Sequence, residues 1–556
     1  MHPSKILVSL GMSLALCGAA GAQTVKVPSL RVQSYATGLS APANMAFIGA
    51  DDILVLQKDD GRVRRVIGGV VQPGDVLDLN VDNASERGLL GIALHPQFPA
   101  TPLVYLYFSE SATTTDTSGT PAPLRNAVYR FSWNGTRLIN GTLILELPVS
   151  ADADHDGGAI SFGPDGKLYV AIGALKRAGQ LQNVRDGAAP DDTSVVLRVD
   201  SYGSTPADNP FSTLGGNLAK YYAYGIRNSL GIAFDHITGD LWMSEDGPNS
   251  YDEINLVRPG FNSGWQQVVG PASRDPEGFA DLFMLPGSHY SDPKFSWLNA
   301  VGPTALAFLN SPSLGTPYAD DLFIGDFNGG TLYRFHMNPA RDGFIFQGDG
   351  LADDLVADNG NELEEVVFGR GFGAITDVKV GADGLLYVLS YDGNIFRIVP
   401  AATAAGTFAV AAANPIALPA TAIIVDNMPA GLGGNGVSFN GKWCTAKGKV
   451  THVGADALHS CGNRGDLYRW TPNLPVSGTY DVYLSWNDHN NQSSSVPFTV
   501  CHFDGCTTLT FDQKQGGGQW NLHGRYNFTA GTIGDVRVTD QNGRASADAV
   551  GFVPVP

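Results

Sequence analysis

The sequence predicts an all-β chain, in which a six-bladed β-propeller is followed by a small β-sandwich. Glycine and proline are abundant, with 68 and 33 residues, which favours many tight turns and few long helices. Units of strand, turn and strand recur at a spacing of roughly 45 to 75 residues, as in propeller blades that carry loop insertions. Two stacked β-sandwiches are the alternative arrangement. The six units begin at Met45, Gly91, His155, Gly231, Thr304 and Asp377.

The length of 556 residues exceeds the size of one hydrophobic core and predicts at least two domains. We assign the propeller to residues 30–400, an alanine- and proline-rich linker to residues 401–421 and the sandwich to residues 422–556. The net charge of −19 argues against a nucleic-acid partner, because phosphate contacts need basic patches. The negative net charge is compatible with neutral ligands or with binding of hard cations.

Residues 1–22 have the pattern of a secretory signal peptide. Lys5 supplies the charged start, residues 6–16 form a short apolar stretch, and residues 20–22 are an Ala-Gly-Ala cleavage site. Cys17 raises the alternative of a lipoprotein, which the bulky leucine before it disfavours. No later segment is apolar over the length that a membrane span needs. We therefore expect a soluble product that is secreted or periplasmic.

The third unit, at residues 155–173, indicates how a blade is built and where chemistry can occur. Its turn, Pro164-Asp165-Gly166, combines a fixed φ, an aspartate that hydrogen-bonds its own backbone and a glycine that accepts positive φ. The flanking segments alternate or run apolar, as strands do. His155 precedes the first strand. An imidazole there is either a functional base or a structural group that is hydrogen-bonded at the strand entrance.

A second candidate site is the acidic loop at residues 245–253. It offers many oxygen donors within one turn, and Ca²⁺ takes about six to eight oxygens, including backbone carbonyls. Gly247 and Pro248 are expected to point carbonyls inward, and Asp252 and Glu253 add carboxylates. A solvated acidic turn explains the same composition without a metal.

Four cysteines follow the leader, and all of them lie in the last quarter of the chain. Four cysteines allow three pairings, and sequence proximity favours Cys444 with Cys461 and Cys501 with Cys506. In an exported protein disulfides are commoner than a metal site, and no spacing here matches the cysteine pairs of zinc sites.

Four motifs follow one another in the predicted propeller: ERGLLGIALHP, HDGGAISFGPDGKLYV, YGIRN with GIAF, and SEDGPNSYDEIN before GFNSGW. On these motifs the region resembles the glucose/sorbosone dehydrogenases, the soluble sugar dehydrogenases that use pyrroloquinoline quinone (PQQ). The resemblance implies a six-bladed propeller with PQQ across the channel mouth on a Ca²⁺ ion. It further implies that carbonyls of Gly247 and Pro248 hold the ion and that His155 is the general base for oxidation of a sugar hydroxyl.

The resemblance also implies roles for four further residues. Arg227 and Asn228 match the pair that contacts the quinone, with Arg227 polarising the quinone carbonyl during catalysis. Glu86 replaces a cofactor-facing glutamine, and Gln180 matches another. From the residues alone, Arg227 is equally a channel-wall ion pair, and Trp265 is better explained as blade core than as a substrate platform.

The chain departs from the family pattern where an anionic cofactor needs cations. Asn328 occupies the position of a lysine on the fifth blade, and Ala374 and Thr376 occupy the positions of two arginines before the last blade. Ala174 replaces an aspartate after the third unit. Each missing cationic contact costs about 1–3 kcal/mol of anion binding. The candidates for compensating charge are Lys176, Arg177, Arg87 and Arg370.

The end of the chain, with TLTFDQKQGGGQWNLHGRYNFTAG and ADAVGFVPV, resembles the golvesin/Xly carbohydrate-binding-like domain. That resemblance implies attachment to carbohydrate or to a surface. Trp520 either fills the sandwich or stacks on a sugar ring, and burial is favoured.

Three functions follow from these features. The first is an exported oxidoreductase that depends on PQQ and Ca²⁺, oxidises an aldose or polyol and passes electrons to an external acceptor. The second is a non-catalytic, Ca²⁺-stabilised propeller that binds polysaccharide or protein after loss of the cofactor site. The third is a Ca²⁺-dependent lactonase, which fold analogy alone suggests. The sequence makes no prediction of oligomeric state.

Overall fold

The computed structural model describes residues 23–150, 152, 154–401, 418–419, 421–427, 436–446, 453, 457–462, 465–503, 505–532 and 534–555. The predicted signal peptide at residues 1–22 lies outside the described residues, as does most of the predicted linker at residues 401–421. The chain divides into two compact units, Met1–Ala404 and Ala405–Pro556. In the described part of the chain, no helix combines the length and the apolar character that crossing a membrane requires.

The first unit is a six-bladed β-propeller, as the sequence predicts, and its blades are numbered I to VI along the chain. From the channel outward, blade I contains the strands Pro42–Gly49, Asp52–Gln57, Arg62–Ile67 and Val70–Val71. Blade II contains Leu89–Leu94, Leu103–Glu110, Arg125–Trp133 and Leu138–Leu147. Blade III contains Ile160–Phe162, Leu168–Ile172, Val195–Val199 and Tyr221–Tyr224. Blade IV contains Gly231–Phe234, Leu241–Glu245, Ser250–Val257 and Phe295–Asn299. Blade V contains Pro303–Phe308, Leu322–Asp326, Leu332–Phe335 and Val367–Arg370. Blade VI contains Ile375–Val380, Leu386–Ser390, Asn394–Pro400 and Leu30–Thr37.

Shorter elements surround the blades. Extra strands extend three blades at their outer edges: Phe261–Asn262 and His289–Tyr290 in III, Val356–Ala357 in IV, and Thr24–Val25 in V. In blade I, Leu77–Asp78 is a second partner of the third strand. The α-helices are Pro276–Ala280, Asp349–Ala352 and Gly360–Val366, and the 3₁₀ helices are Gln180–Gln182, Ser212–Leu214, Gly216–Lys220, Ala272–Arg274 and Thr316–Tyr318.

Blade VI closes the ring by combining the two ends of the propeller sequence. Its three inner strands come from residues 375–400, and its outermost strand is Leu30–Thr37. The closing pair is antiparallel, with Leu30 opposite Pro400 and Thr37 opposite Asn394. The ring therefore depends on pairing between segments about 360 residues apart.

The innermost strands of the six blades surround a central channel with a cavity at each end. Every inner strand begins at the upper cavity, of about 530 Å³, and ends at the lower cavity, of about 840 Å³. In blade I, Ala43 and Asn44 line the upper cavity and Met45 to Phe47 line the lower one. The loops that precede the inner strands are thereby gathered at one end of the channel.

Apolar residues at alternate strand positions pack the blades against one another. Leu54 and Leu56 of blade I share a buried cluster with Leu106 of blade II, and Trp242 and Trp297 anchor the cluster between blades IV and V. Burial of one such large side chain contributes about 1.5–3 kcal/mol. This packing fixes the loops at the channel mouth.

The second unit contains two main antiparallel sheets, whose inner faces share one core. One sheet consists of Ile423–Asp426, Ala549–Pro554, Gly478–Leu484 and Asn521–Phe528, and the other of Val437–Asn440, Leu467–Trp470, Asp535–Thr539, Val496–His502 and Gly505–Phe511. A third, smaller sheet consists of Trp443–Thr445, Leu458–Ser460 and Ser546–Ala547.

Two disulfides cross-link this unit, Cys444 with Cys461 and Cys501 with Cys506, which is the pairing that sequence proximity favours. Trp520 is half-buried, and its ring lies over the backbone of Gly551. Its contact with the sheet accords with a packing role for most of the ring.

Candidate active site

The upper cavity is the candidate active site because both the His155 motif and the acidic loop contribute to its lining. Its charged lining residues are the two cations Lys58 and Arg227 and the three carboxylates Glu86, Asp246 and Asp252. The two glycines after His155, Gly157 and Gly158, line it as well. Three of the four family motifs thus contribute side chains to one cavity, and the His155 motif contributes backbone.

His155 lies directly behind this lining and is held by its backbone. Its φ is +65°, a left-handed conformation that is uncommon for a residue with a side chain. Its N–H donates to Glu86 Oε2 at 2.7 Å, and Gly173 packs so closely that a Cβ there would lie 2.4 Å from the His155 carbonyl oxygen. The surrounding loops therefore determine where the imidazole lies.

His155 is 9 % exposed, and its ring makes no hydrogen bond to any described residue. Burial, followed by the nearby charge of Arg227, lowers the pKa of His155 to about 4. The ring is consequently neutral at pH 7 and has an unshared electron pair for a proton.

Asn228 connects the His155 loop to the segment that precedes blade IV. Its Oδ1 accepts the N–H of Gly157 at 3.2 Å, and its Nδ2 donates to Glu86 Oε2 at 3.0 Å. Glu86 therefore accepts hydrogen bonds from both segments at one carboxylate oxygen. Burial raises the pKa of Glu86.

Arg227 is positioned by blade IV. Its backbone N–H donates to Glu245 Oε1 at 2.7 Å, and its Nη1 donates to the carbonyl oxygen of Asp246 at 2.9 Å. Its guanidinium lies 5.4 Å from the ring centroid of half-buried Trp265, within the range of a cation–π contact. The buried Nε has no partner among the described residues. Arg227 thus holds the acidic loop and keeps one unused donor beside the cavity.

The acidic segment is shorter than the sequence suggests, because most of residues 245–253 belong to strands. Leu241–Glu245 and Ser250–Val257 are adjacent strands of blade IV, and only four residues form the loop between them. Asp246 presents a buried Oδ1 without a partner among the described residues, and burial with Asp252 nearby raises its pKa well above the ordinary value.

Asp252 and Glu253 have opposite orientations, as consecutive strand residues must. Asp252 lines the cavity, but its Oδ1 accepts the N–H of Gly247 at 2.7 Å and its Oδ2 accepts two further backbone N–H groups. Glu253 accepts the N–H of Gly270 and an amide N–H of Asn255, and it is not among the cavity-lining residues. Asp252 therefore closes the loop, and Glu253 lies behind it.

The metal-binding capacity of the loop depends on Asp246, Gly247 and Pro248, all of which line the cavity. Within the described ranges, no three His, Cys, Asp or Glu side chains converge as a preformed metal site. An ion here would take backbone carbonyls and the unpartnered Asp246 oxygen, a donor set that suits Ca²⁺.

Other predicted residues are distributed unevenly. Gln180 belongs to the short helix Gln180–Gln182 and does not line the upper cavity. Asn328 and Thr376 do line it, so two of the three substituted cation positions face the candidate site, and Ala374 does not. The four candidates for compensating charge are absent from its lining and are paired elsewhere: Lys176 with Asp154, Arg177 with Asp191, Arg370 with Glu364, and fully buried Arg87 with Asp82.

The lining also contains residues that no sequence motif indicated, among them Lys58, Phe327 and Tyr391. Phe327 and Tyr391 form an edge-to-face pair with ring centroids 5.7 Å apart. Lys58 follows a blade I strand in the segment LQKDDG, which has the composition of an ordinary polar turn. No local signal distinguishes it, because its contribution depends on how blades I and VI meet.

Comparisons with known proteins point to one family. A family model described as Glucose / Sorbosone dehydrogenase matches residues 39–397, and one described as Golvesin C-terminal domain matches residues 423–554. Aldose sugar dehydrogenase YliI of Escherichia coli is 27% identical over 57% of this chain and 78% of its own length. Quinoprotein glucose dehydrogenase B of Acinetobacter calcoaceticus is 31% identical over 44% of this chain and 53% of its own. A solved Thermus thermophilus oxidoreductase, described as a glucose dehydrogenase, is 29% identical with a TM-score of 0.52, covering 66% of this chain and all of that one.

Proposed function

The chain belongs to the glucose/sorbosone dehydrogenase family, and on that premise we propose that it is an exported enzyme that oxidises a hydroxyl of an aldose or polyol with PQQ and Ca²⁺. One observation carries the proposal. A guanidinium with an unused donor and a Gly-Pro corner line one end of the propeller channel, and a buried, neutral imidazole lies directly behind that lining.

The residues present fit the cofactor and the ion. The cavity of about 530 Å³ falls within the range of small-molecule sites, about 300–1,000 Å³. The unpartnered Nε of Arg227 suits an anionic or carbonyl oxygen, and the unpartnered Oδ1 of Asp246 suits a cation. We assign Ca²⁺ to Asp246, Gly247 and Pro248, and the quinone to Arg227. Asn228 is buried and absent from the cavity lining, and we assign it the role of holding the loops behind the cavity.

His155 acts as the general base in this proposal. The substrate O–H proton moves to the ring of His155, which is neutral at pH 7, while the adjacent C–H leaves as hydride and a C=O bond forms. When bound, PQQ supplies the two-electron acceptor for that hydride. The imidazolium then releases its proton to solvent, and an external acceptor takes the electrons.

Arg227 would stabilise the negative charge that the hydride brings to the acceptor. Its position is fixed from two sides by Glu245 and the Asp246 carbonyl, so little reorganisation is needed during the reaction. The loops around His155 leave this residue only 9 % exposed, and that burial favours the neutral form of the base.

Export is part of the proposal. The leader pattern at residues 1–22 and the two disulfides of the second unit support it, because disulfides persist in oxidising compartments. The match of that unit to the golvesin C-terminal family supports a role in attachment to carbohydrate.

A second candidate function is favoured by the neutral side chains at Asn328 and Thr376 in the cavity lining. With fewer cations, a propeller of this family can keep its ion and lose the cofactor. Such a protein would bind polysaccharide or protein without catalysis.

Reconstitution separates the two candidates. Purified apo-protein is mixed with PQQ and Ca²⁺, desalted, and assayed with a panel of sugars and a redox dye. We expect retained quinone absorbance and dye reduction, with His155→Asn retaining the absorbance and losing the turnover. No dye reduction with any sugar, together with no retained absorbance, would end the enzymatic proposal and leave the binding module.

A further inference from the structure

We propose that Lys58 is a cofactor-binding residue, whose ammonium pairs with a carboxylate of PQQ and replaces charge missing from blades V and VI. This inference rests on the proposed function. It concerns a residue that no motif identifies, on a blade that supplies none of the cations expected from the family pattern.

Lys58 is a fixed part of the upper cavity. Its N–H donates to the carbonyl of Ala41, and its own carbonyl accepts the N–H of Leu89. Gly88 packs against its stem, since a Cβ there would lie 2.7 Å from Lys58 Cγ. Its side chain is only 13 % exposed, so Lys58 contributes to the cavity wall from a constrained position.

The ammonium has donors to spare. Its one hydrogen bond among the described residues goes to Asp59 Oδ1 at 2.8 Å, and an ammonium carries three donors. Asp59 is half-exposed and also accepts the hydroxyl of Tyr391 at 3.0 Å. The contact with Asp59 orients the Lys58 side chain and leaves two N–H donors of its ammonium without a partner among the described residues. Such donors are suited to binding an anion.

The location matches the charge deficit. Tyr391 and Thr376 belong to blade VI, and both bond across the junction to blade I, Tyr391 through Asp59 and Thr376 through the carbonyl of Pro42 at 2.8 Å. Lys58 therefore lies beside the junction at which the family pattern expects an arginine and this chain has Thr376.

The two lining cations also come from opposite sides of the ring. Arg227 precedes blade IV and Lys58 belongs to blade I, and these blades are opposite in a ring of six. A ligand with anionic groups at both ends would bridge them. PQQ has that character because it carries three carboxylates, whereas a neutral sugar gains nothing from the second cation.

The test measures PQQ binding to the full-length apo-protein in saturating Ca²⁺, by equilibrium dialysis with detection of quinone absorbance. We expect Lys58→Met to raise the Kd about 10- to 100-fold, the loss typical of one charge-assisted contact. The matched control is Lys379→Met, which removes a lysine that pairs with a neighbouring aspartate at the opposite end of the channel. Its Kd should stay within about twofold of wild type, and melting curves check that both variants fold.

A rescue variant separates charge from packing. Asn328 lines the same cavity and is exposed, so Asn328→Lys adds a cation there without disturbing the core. In the Lys58→Met background it should recover at least about tenfold in Kd. Loss of affinity without rescue, or an unchanged Kd in Lys58→Met, would overturn the inference while leaving the proposed function intact. Failure of the wild-type protein to bind PQQ would refute both.

Discussion

Substituting His155 by asparagine tests how deeply the proposed base is buried. Asparagine tolerates the left-handed backbone at this position and has no titratable group. The pKa of His155 is lowered to about 4 from 6.5 because burial disfavours the charged ring. The unfolded chain therefore binds a proton between pH 6.5 and about 4 that the native chain rejects, and native stability falls as the pH falls through this window.

The magnitude follows from the two pKa values. The gap between 6.5 and about 4 corresponds to about 3 kcal/mol of unfolding free energy, lost by the wild-type protein between pH 7 and pH 4 and absent from the variant. Urea denaturation of both proteins over that range gives the difference directly. The transition of the second unit, which does not contain His155, serves as an internal control.

Catalysis supplies an independent measure of the same group. The variant should turn over about 10²–10⁴-fold more slowly, the usual contribution of a general base. The wild-type pH profile of kcat/KM should lose activity only near pH 4, since the ring of His155 stays neutral above it. A stability difference that is constant with pH, combined with an acidic limb near 6.5, would refute the assignment of a buried, neutral base.

Three further outcomes are expected. Arg227→Lys should lower kcat about 10- to 100-fold in the dye assay with little change in melting temperature, because lysine keeps the charge but lacks the planar, multiple-donor guanidinium group. An unchanged kcat would show that Arg227 has no role in the mechanism. The melting temperature of the propeller should fall as pH rises from about 5 to 9, because burial raises the pKa values of the cross-strand pair Glu245 and Glu253 and ionising them destabilises the native state. Glu253→Gln should make the melting temperature less dependent on pH. A variant whose melting temperature falls as steeply as that of the wild type would contradict this explanation. Gly157→Ala should lower the unfolding free energy by about 1–3 kcal/mol more than Gly166→Ala. Both glycines have positive φ, but only a Cβ at position 157 would lie 2.7 Å from a backbone carbonyl oxygen. Equal losses of unfolding free energy in urea denaturation would show that the loop around Gly157 shifts to accommodate the methyl group.

The propeller could be predicted because each blade carries its own local signals. The unit starts at Gly231 and Thr304 fall at the inner strands Gly231–Phe234 and Pro303–Phe308. Alternating apolar residues and Gly-containing turns repeat in every blade, so the fold is specified many times over. The pairing of Leu30–Thr37 with Asn394–Pro400 has no such signal, because it joins segments that are distant in sequence.

The candidate site was predicted only where a motif spans a strand entrance. Arg227 and Gly247 occur in such motifs, and the structure brings both to the upper cavity. Glu253 was grouped with the acidic loop, but the loop ends before it, and strand alternation turns its carboxylate away. Lys58 was not predicted, because a lysine in a polar turn gives no indication of which blade it faces.

The closure of blade VI by Leu30–Thr37 has a consequence for the order of folding. During synthesis this strand emerges long before its partner and must wait, unpaired, until residues 394–400 are made. Such long-range pairing slows folding and leaves a strand edge open to wrong partners in the meantime. Since the upper cavity is lined by all six blades, it is complete only after the ring has closed.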